Sequence, residues 1–344
     1  MRRKVAENAA IVKQLFVRSL LLKVAVYTLP TTSQSTFHSF ISSHMSSFKA
    51  LGTASNFLAI EKEISTFNSS AIVVVQAPYE HTVSYGGGTR SGPAAIIKAS
   101  HFVEFYDEEL DRELCYDVGI GTLEPLKFGK RADRKALDII YDGTRQLLEQ
   151  NKFVVMLGGE HTISQAPIRA HLERYSDLSV LQFDAHSDLR ESYQGSMYSH
   201  ASVMARVCEF LSPQRLVQVG IRAQCIEESQ FIKQKGITTL YAHEIRNPKR
   251  QYDWMDRVLE RLTDHVYVSF DVDGFDPSIM PSTGTPEPNG LWWAETMTLL
   301  RRVGEQKKIV GCDIVELAPE KGVSHPDLTA AKLVYKLMNY AFIK

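Results

Sequence analysis

The stretch VYVSFDVDGFDP, residues 266–277, points to the fold class, because an apolar β-branched and aromatic run leads directly into carboxylates and a turn. Two other stretches are organised in the same way, FVVMLGGEH at 153–161 and LSVLQFDAHSD at 178–188. Short apolar runs of this kind predict buried β-strands. The carboxyl ends of parallel strands meet at one edge of a sheet, so the polar residues after these runs are predicted to line one pocket.

Outward from these stretches, further β-like runs at 71–75, 215–219 and 308–310 alternate with helical patterns at 136–150 and 255–262. This alternation predicts an α/β fold of three layers, α/β/α, with a central, mostly parallel, doubly wound sheet. Apolar residues at helical spacing after Asp327 predict a C-terminal helix. With 344 residues, 44% apolar content and a formal net charge of −1, the chain can bury a large core, and its charge balance does not indicate nucleic acid or a membrane surface as a partner.

The polar residues after the three runs are of the types that bind divalent metals, and they are His161, Asp184, His186, Asp188, Asp271 and Asp273. Side chains two apart on an extended chain point the same way, which predicts that 184, 186 and 188 share one side, as do 271 and 273. Four clustered carboxylates repel one another unless cations lie between them, and two divalent ions balance their charge. Oxygen-rich sites with imidazoles suit Mn²⁺ better than a structural Zn²⁺. Each motif alone is more often a turn or a cap, but together they predict a two-metal hydrolytic centre.

The three motifs resemble those of the ureohydrolases, the arginase and agmatinase family, which hydrolyse guanidino compounds to urea and an amine at a binuclear manganese centre. The resemblance runs from about Val73 to the C-terminus and includes GTRSGP at 88–93, VGIR at 219–222 and DIVELAP at 313–319. It implies the arginase-like fold, a small guanidino substrate, and a homo-oligomer that is a trimer or a hexamer.

The resemblance also implies a role for each motif residue. One Mn²⁺ would be held by His161, Asp184, Asp188 and Asp271, and the other by His186, Asp184, Asp271 and Asp273, so that Asp184 and Asp271 bridge. A metal-bridging hydroxide, oriented by Asp188, would attack the guanidinium carbon. Glu316 would hold the guanidinium, and His200 would shuttle a proton to the leaving amine. Spacing does not separate Mn²⁺ from Ni²⁺ or another first-row ion.

Agmatine, cleaved to putrescine and urea, is the predicted substrate. Arginases carry Asn at the position of Arg190, so this residue argues against an arginase. The sequences at 198–204 and 284–291 resemble those of agmatinases instead. Glu191 and Glu287 are predicted to contribute an acidic wall for the distal ammonium, whereas an inward Arg190 would favour 4-guanidinobutyrate. Arginine, free guanidine and a non-catalytic role for the same fold are the alternatives.

Residues 1–60 differ from the rest, because they are basic with Glu7 as their single acid and are rich in Ser and Thr at 31–47. They are predicted to be a peripheral N-terminal extension, either a transit peptide or a misassigned start that precedes Met45, ahead of one catalytic domain at 61–344. Arg18 and Lys23 interrupt the apolar run and argue against a membrane span. The four scattered cysteines indicate free thiols and a reducing compartment. The predicted location is cytoplasmic, or organellar if the transit peptide is genuine.

Overall fold

The structure is a computed structural model that describes residues 48–247 and 254–343. The predicted transit peptide and the alternative start at Met45 lie outside the described residues. The last part of the predicted extension is described, and Phe57, Leu58 and Ile60 are buried in the core. The folded domain therefore begins before residue 61.

Within the described residues, eight strands form one sheet, and every neighbouring pair is parallel. The order is β2-β1-β3-β8-β7-β4-β5-β6, and the strands are β1 (Ile72–Ala77), β2 (Ile120–Thr122), β3 (Phe153–Gly158), β4 (Ser179–Phe183), β5 (Leu216–Ile221), β6 (Thr238–Tyr241), β7 (His265–Asp271) and β8 (Lys308–Val315). The predicted parallel sheet is confirmed. Strands β2 and β6 were not predicted, because their three and four residues are too few for a clear apolar pattern.

The α-helices of the described residues are α1 (Lys62–Ser65), α2 (Gly92–Ser100), α3 (Leu114–Val118), α4 (Arg134–Glu149), α5 (Gln165–Arg174), α6 (Val203–Val207), α7 (Ile226–Lys235), α8 (Ala242–Ile245), α9 (Trp254–Arg261), α10 (Trp293–Gln306) and α11 (His325–Ala341). The predicted helices at 136–150, at 255–262 and after Asp327 correspond to α4, α9 and α11. None of the helices described is both long and apolar enough to cross a bilayer.

Helices cover both faces of the sheet, and for this reason the sequence of β3 is almost continuously apolar. Val155 and Leu157 contribute to a core cluster that includes residues of α2, α9, α10 and α11. Val154 and Met156 point the other way and contribute to a cluster with residues of α4 and α5. Residues of α6 and α7 join a third cluster with β4 and β5. A strand buried on both faces needs apolar residues at successive positions, because neither face meets water.

The register of the four central strands places their carboxyl ends at one level. Leu157 of β3, Ile314 of β8, Phe270 of β7 and Phe183 of β4 form one row of paired residues across the sheet. The chain segments after this row carry the three motifs. The site is therefore built over the middle of the sheet, at the edge that the sequence predicts.

The turn after β3 requires glycine. A Cβ atom added at Gly159 would lie 1.9 Å from the carbonyl oxygen of Tyr79, and a backbone atom cannot move aside as a flexible side chain can. Gly159 therefore lets the chain pass close to the loop after β1 and enter the 3₁₀ turn His161–Ser164. This turn brings the imidazole of His161 over the sheet edge.

Candidate active site

A buried imidazole lies among three carboxylates at the carboxyl edge of the sheet. The Nδ1 atom of His161 lies 3.0 Å from an oxygen of Asp188, 3.1 Å from one of Asp184 and 3.4 Å from one of Asp271. This Nδ1 has no hydrogen-bond partner among the described residues, although His161 is only 1% exposed. A buried nitrogen that faces three oxygens and bonds to none of them fits a metal ligand.

A second imidazole lies on the other side of Asp184. The Nδ1 atom of His186 is 2.9 Å from Asp273 Oδ2 and 3.6 Å from Asp184 Oδ1. The described residues thus form two groups that could each hold a metal ion, His161 with Asp184 and Asp188, and Asp184 with His186 and Asp273. Asp184 belongs to both groups and offers a different oxygen to each imidazole, which is the arrangement that a bridging carboxylate needs.

These side chains converge through turns and not through the strand alternation that their period-two spacing predicts. β4 ends at Phe183 and Asp188 has a φ of 54°, so residues 184–188 do not form an extended strand. Asp273 lies in the 3₁₀ turn Val272–Gly274. Each turn is closed by a carboxylate that accepts an N–H two residues on, Asp184 from His186 at 2.6 Å and Asp271 from Asp273 at 2.9 Å. The same residues meet, but the physical reason is turn chemistry.

The cluster favours positive charge in its interior. Burial lowers the pKa of His161, but the neighbouring carboxylates of Asp184 and Asp188 outweigh it and raise that pKa well above its usual value. Burial likewise opposes the protonation of His186, yet Asp273 and Asp184 raise its pKa to about 12. Burial and the charges of Asp273 and Asp184 raise the pKa of Asp271. A divalent cation would supply positive charge at these positions without protons.

Glu316 lies beside the cluster in a constrained conformation. It comes directly after β8, its φ is 65°, and Oε1 of its carboxylate accepts the backbone N–H of His161 at 2.6 Å. Burial and the charge of Glu160 raise the pKa of Glu316 well above its usual value. Positive φ at a side chain larger than Asn is uncommon and is concentrated at functional sites. The structure therefore brings Glu316 to the site together with the candidate metal ligands.

His200 reaches the same site from the 3₁₀ turn His200–Ser202. Its Nδ1 lies 3.2 Å from the hydroxyl of Thr82, and its Nε2 lies 3.4 Å from the hydroxyl of Ser84. Burial, with the charges of His186 and His161, lowers the pKa of His200 to about 4. The imidazole of His200 is therefore neutral near pH 7 in this environment.

A cleft of about 470 Å³ opens onto the cluster, and both acidic and basic residues line it. Arg190 and Glu287 line it, and their contact with a substrate stays a prediction. Glu191 is not among the residues that line it, and its side chain is 90% exposed and lies 3.2 Å from Arg206. Of the two glutamates predicted to form the acidic wall, the cleft therefore includes Glu287 and not Glu191.

Comparison with known proteins agrees with the geometry. The Arginase family matches residues 70–339. This chain belongs to the arginase family. It is 41% identical over 284 residues to the N(1)-aminopropylagmatine ureohydrolase of Synechocystis, covering 80% of this chain and 91% of that protein. It is 36% identical over 282 residues to the agmatinase of Bacillus cereus, covering 79% and 92%.

The fold comparison leads to the same family. The crystal structure of the agmatine ureohydrolase of Thermoplasma volcanium matches this chain with a TM-score of 0.73 at 28% identity, covering 86% of this chain and 95% of that one. This arginase-family chain is therefore an amidinohydrolase of the ureohydrolase type, and its fold is that of agmatinases and arginases.

Residues behind the candidate ligands complete the site, and none of them was predicted from the sequence. The hydroxyl of Ser269 lies 3.0 Å from His161 Nε2 and donates to Asp313 Oδ1 at 2.8 Å. Since that hydroxyl proton goes to Asp313, its oxygen accepts from Nε2–H and leaves Nδ1 of His161 free to bind a cation. Ser269 and Asp313 lie inside the quoted motifs, so their positions carried a signal.

Glu160 supports His200 indirectly. Its carboxylate accepts the backbone N–H groups of His81 and Thr82, at 2.8 and 2.6 Å, and the Thr82 hydroxyl at 3.0 Å. The same hydroxyl contacts His200. Glu160 is fully buried, and it fixes the loop whose Thr82 hydroxyl contacts the imidazole of His200.

Arg222, from the VGIR motif, holds two neighbouring loops together. Its guanidinium donates to five carbonyl groups, those of Gly220, Asp273, Gly274, Phe275 and Glu287. The loop that carries Asp273 and the loop that carries Glu287 are thereby joined on one side of the cleft.

Proposed function

We propose that this chain is a metal-dependent hydrolase that cleaves the guanidino group of agmatine and releases urea and putrescine. The observation that carries the proposal is the position of Asp184, whose two carboxylate oxygens face two different imidazoles within one buried acidic cluster. Such a site suits two cations a few ångströms apart, which is the arrangement of two-metal hydrolases.

The metal ligands in this proposal are His161, Asp184, His186, Asp188, Asp271 and Asp273, and the metal is Mn²⁺, with Ni²⁺ as the first alternative. Four carboxylates and two imidazoles form a donor set that suits octahedral first-row ions. When bound, such a pair of ions lowers the pKa of water and supplies a nucleophile at neutral pH. Asp188 lies beside this position and can accept a hydrogen bond that orients the water.

The residues of the chain supply orientation and proton transfer. Glu316 faces the cleft with its Oε1 fixed by the His161 N–H, so the carboxylate has one orientation from which to pair with a guanidinium. His200 is neutral and has hydroxyl groups against both ring nitrogens. The position of this imidazole beside the metal cluster and two hydroxyl groups suits a proton shuttle to the departing amine.

The two arginines of the cleft are each engaged by other groups of the protein. Outside the metal cluster, Glu228 and Glu287 line the cleft, and so do Arg190 and Arg222. The guanidinium of Arg222 is bonded to backbone carbonyls. The guanidinium of Arg190 lies 3.7 Å from the buried carboxylate of Glu228 and over the ring of Tyr193, at 5.0 Å from the centroid. Because Glu228 compensates Arg190, the positive charge available to a substrate carboxylate is reduced, which favours agmatine over 4-guanidinobutyrate.

A second candidate substrate is N(1)-aminopropylagmatine, which the Synechocystis relative is named for. Two observations favour it. That relative has a higher identity to this chain than the Bacillus cereus agmatinase has. In addition, the cleft of about 470 Å³ offers room beyond the reacting group for a longer chain with an additional ammonium.

The experiment is urea release by the Mn²⁺-loaded full chain, with agmatine, N(1)-aminopropylagmatine, 4-guanidinobutyrate, arginine and guanidine assayed in parallel. Agmatine is expected to give the highest kcat/KM, and Asp184→Ala is expected to lose both bound metal and activity. A higher kcat/KM for N(1)-aminopropylagmatine would transfer the proposal to the longer substrate. Near-normal turnover by Asp184→Ala would refute the two-metal site itself.

The trimer or hexamer that the family resemblance implies stays a prediction, which light scattering of the purified full chain tests.

A further inference from the structure

The loop between Glu80 and Gly88 forms part of the cleft lining and is anchored at both ends. At its start, the buried Glu160 accepts the N–H groups of His81 and Thr82. At its end, the carboxylate of Glu80 accepts the N–H of Gly88 at 3.1 Å. The intervening residues 83–86 line the cleft. The loop is therefore a short strap with two fixed ends.

The middle of this strap contacts the opposite wall through glycines. The N–H of Gly86 donates to the carbonyl of Gly284 at 3.1 Å. A Cβ at Gly86 would lie 3.0 Å from that carbonyl oxygen, and a Cβ at Gly284 would lie 2.9 Å from the carbonyl oxygen of Gly86. The absence of side chains lets the two loops meet, and this contact fixes the position of the neighbouring Tyr85.

Tyr85 is the most exposed large side chain with apolar character among the described residues, at 87%, although it lines the cleft. Three glycines come after it, Gly86, Gly87 and Gly88, and a Cβ added at Gly87 would have only side-chain atoms within 4 Å. An aromatic ring attracts an ammonium through its face, and Tyr has only two side-chain torsions to fix on binding. Glu287 and Glu316 line the same cleft as Tyr85 and supply negative charge for a cationic substrate.

We infer that Tyr85 is a specificity-determining residue whose ring covers the distal ammonium of the substrate and selects guanidino compounds with a cationic tail. The inference rests on the proposed function and deepens it. It assigns to Tyr85 a contact with the non-reacting end of the substrate, while the metal ligands, Glu316 and His200 act on the guanidino end.

The test compares agmatine with butylguanidine, which has the same guanidino group and an uncharged tail. Tyr85→Ala is expected to raise KM for agmatine roughly 2- to 30-fold, the range of a cation–π contact, and to change KM for butylguanidine less than twofold. Tyr85→Phe keeps the ring and is expected to keep KM for agmatine within twofold. Tyr116→Ala, at an exposed tyrosine that does not line the cleft, is the control and should change neither KM.

An equal change in KM for both compounds in Tyr85→Ala would overturn the inference, because the contact of Tyr85 would then not depend on the ammonium group. An unchanged KM for agmatine would overturn it as well. Calorimetric titration of both compounds into the Mn²⁺-loaded full chain gives the same comparison without turnover. If the wild type binds agmatine but releases no urea, the proposed function fails while the calorimetry still decides the role of Tyr85.

Discussion

Replacing Ser269 by alanine should weaken metal binding, although Ser269 is not a ligand. Its hydroxyl accepts from His161 Nε2 at 3.0 Å and donates to Asp313 at 2.8 Å, all in fully buried surroundings. Removing it leaves an N–H and a carboxylate oxygen without this partner, and each such loss costs about 1–3 kcal/mol. The tautomer of His161 is no longer fixed, so the dissociation constant for Mn²⁺ should rise about 10- to 100-fold.

Ser179→Ala is the matched control for this variant. Ser179 is also a fully buried serine on a central strand, and its hydroxyl accepts from the N–H and the hydroxyl of Thr263. It lies at the amino end of β4, whereas the site lies at the carboxyl ends of the strands. Both variants should lose unfolding free energy in chemical denaturation, whereas titration with Mn²⁺ should separate them. A dissociation constant for Ser269→Ala within twofold of that for Ser179→Ala would refute the role of the hydroxyl.

Three further predictions concern backbone space, the cleft and pH. Gly159→Ala should fail to give folded protein by circular dichroism, because its Cβ would lie 1.9 Å from the Tyr79 carbonyl oxygen. Gly143→Ala is the control, because an added Cβ has open space within α4 and should raise the unfolding free energy by up to about 1 kcal/mol. Glu191→Ala should leave KM for agmatine within twofold of the wild type, since this side chain lies outside the cleft, and a tenfold rise in the kinetic assay would contradict its placement. His171 is fully buried, and burial lowers its pKa to about 4. As the pH drops, this side chain binds a proton in the unfolded chain near pH 6.5 and in the folded chain only near pH 4. The unfolding free energy therefore falls over this pH range. This group should account for roughly 3 kcal/mol of that loss, and denaturation of wild type and His171→Gln at pH 7 and pH 4 should show a smaller loss in the variant.

The sequence predicts the sheet well because its central strands are long and buried on both faces. Runs such as residues 153–157 contain little except apolar side chains, and parallel strands place the residues after them at one edge of the sheet. The short strands β2 and β6 lack this signal. The helices α4 and α11 were predictable because their buried residues recur at helical spacing.

For the site, the sequence identifies which residues meet but not how they meet. Period-two spacing predicts one strand through Asp184, His186 and Asp188, whereas the chain turns at Asp184 and has positive φ at Asp188. Single-residue turns of this kind depend on hydrogen bonds and contacts that a spacing pattern does not contain. Glu191 shows the converse, since its neighbour Arg190 lines the cleft while Glu191 points to solvent.

The proposed mechanism requires two metal ions that share the carboxylate of Asp184, and anomalous diffraction from crystals grown with Mn²⁺ can locate both ions. We predict two manganese peaks, one beside His161, Asp184 and Asp188 and the other beside Asp184, His186 and Asp273. A single peak, or manganese bound elsewhere with these side chains apart, would contradict the shared site.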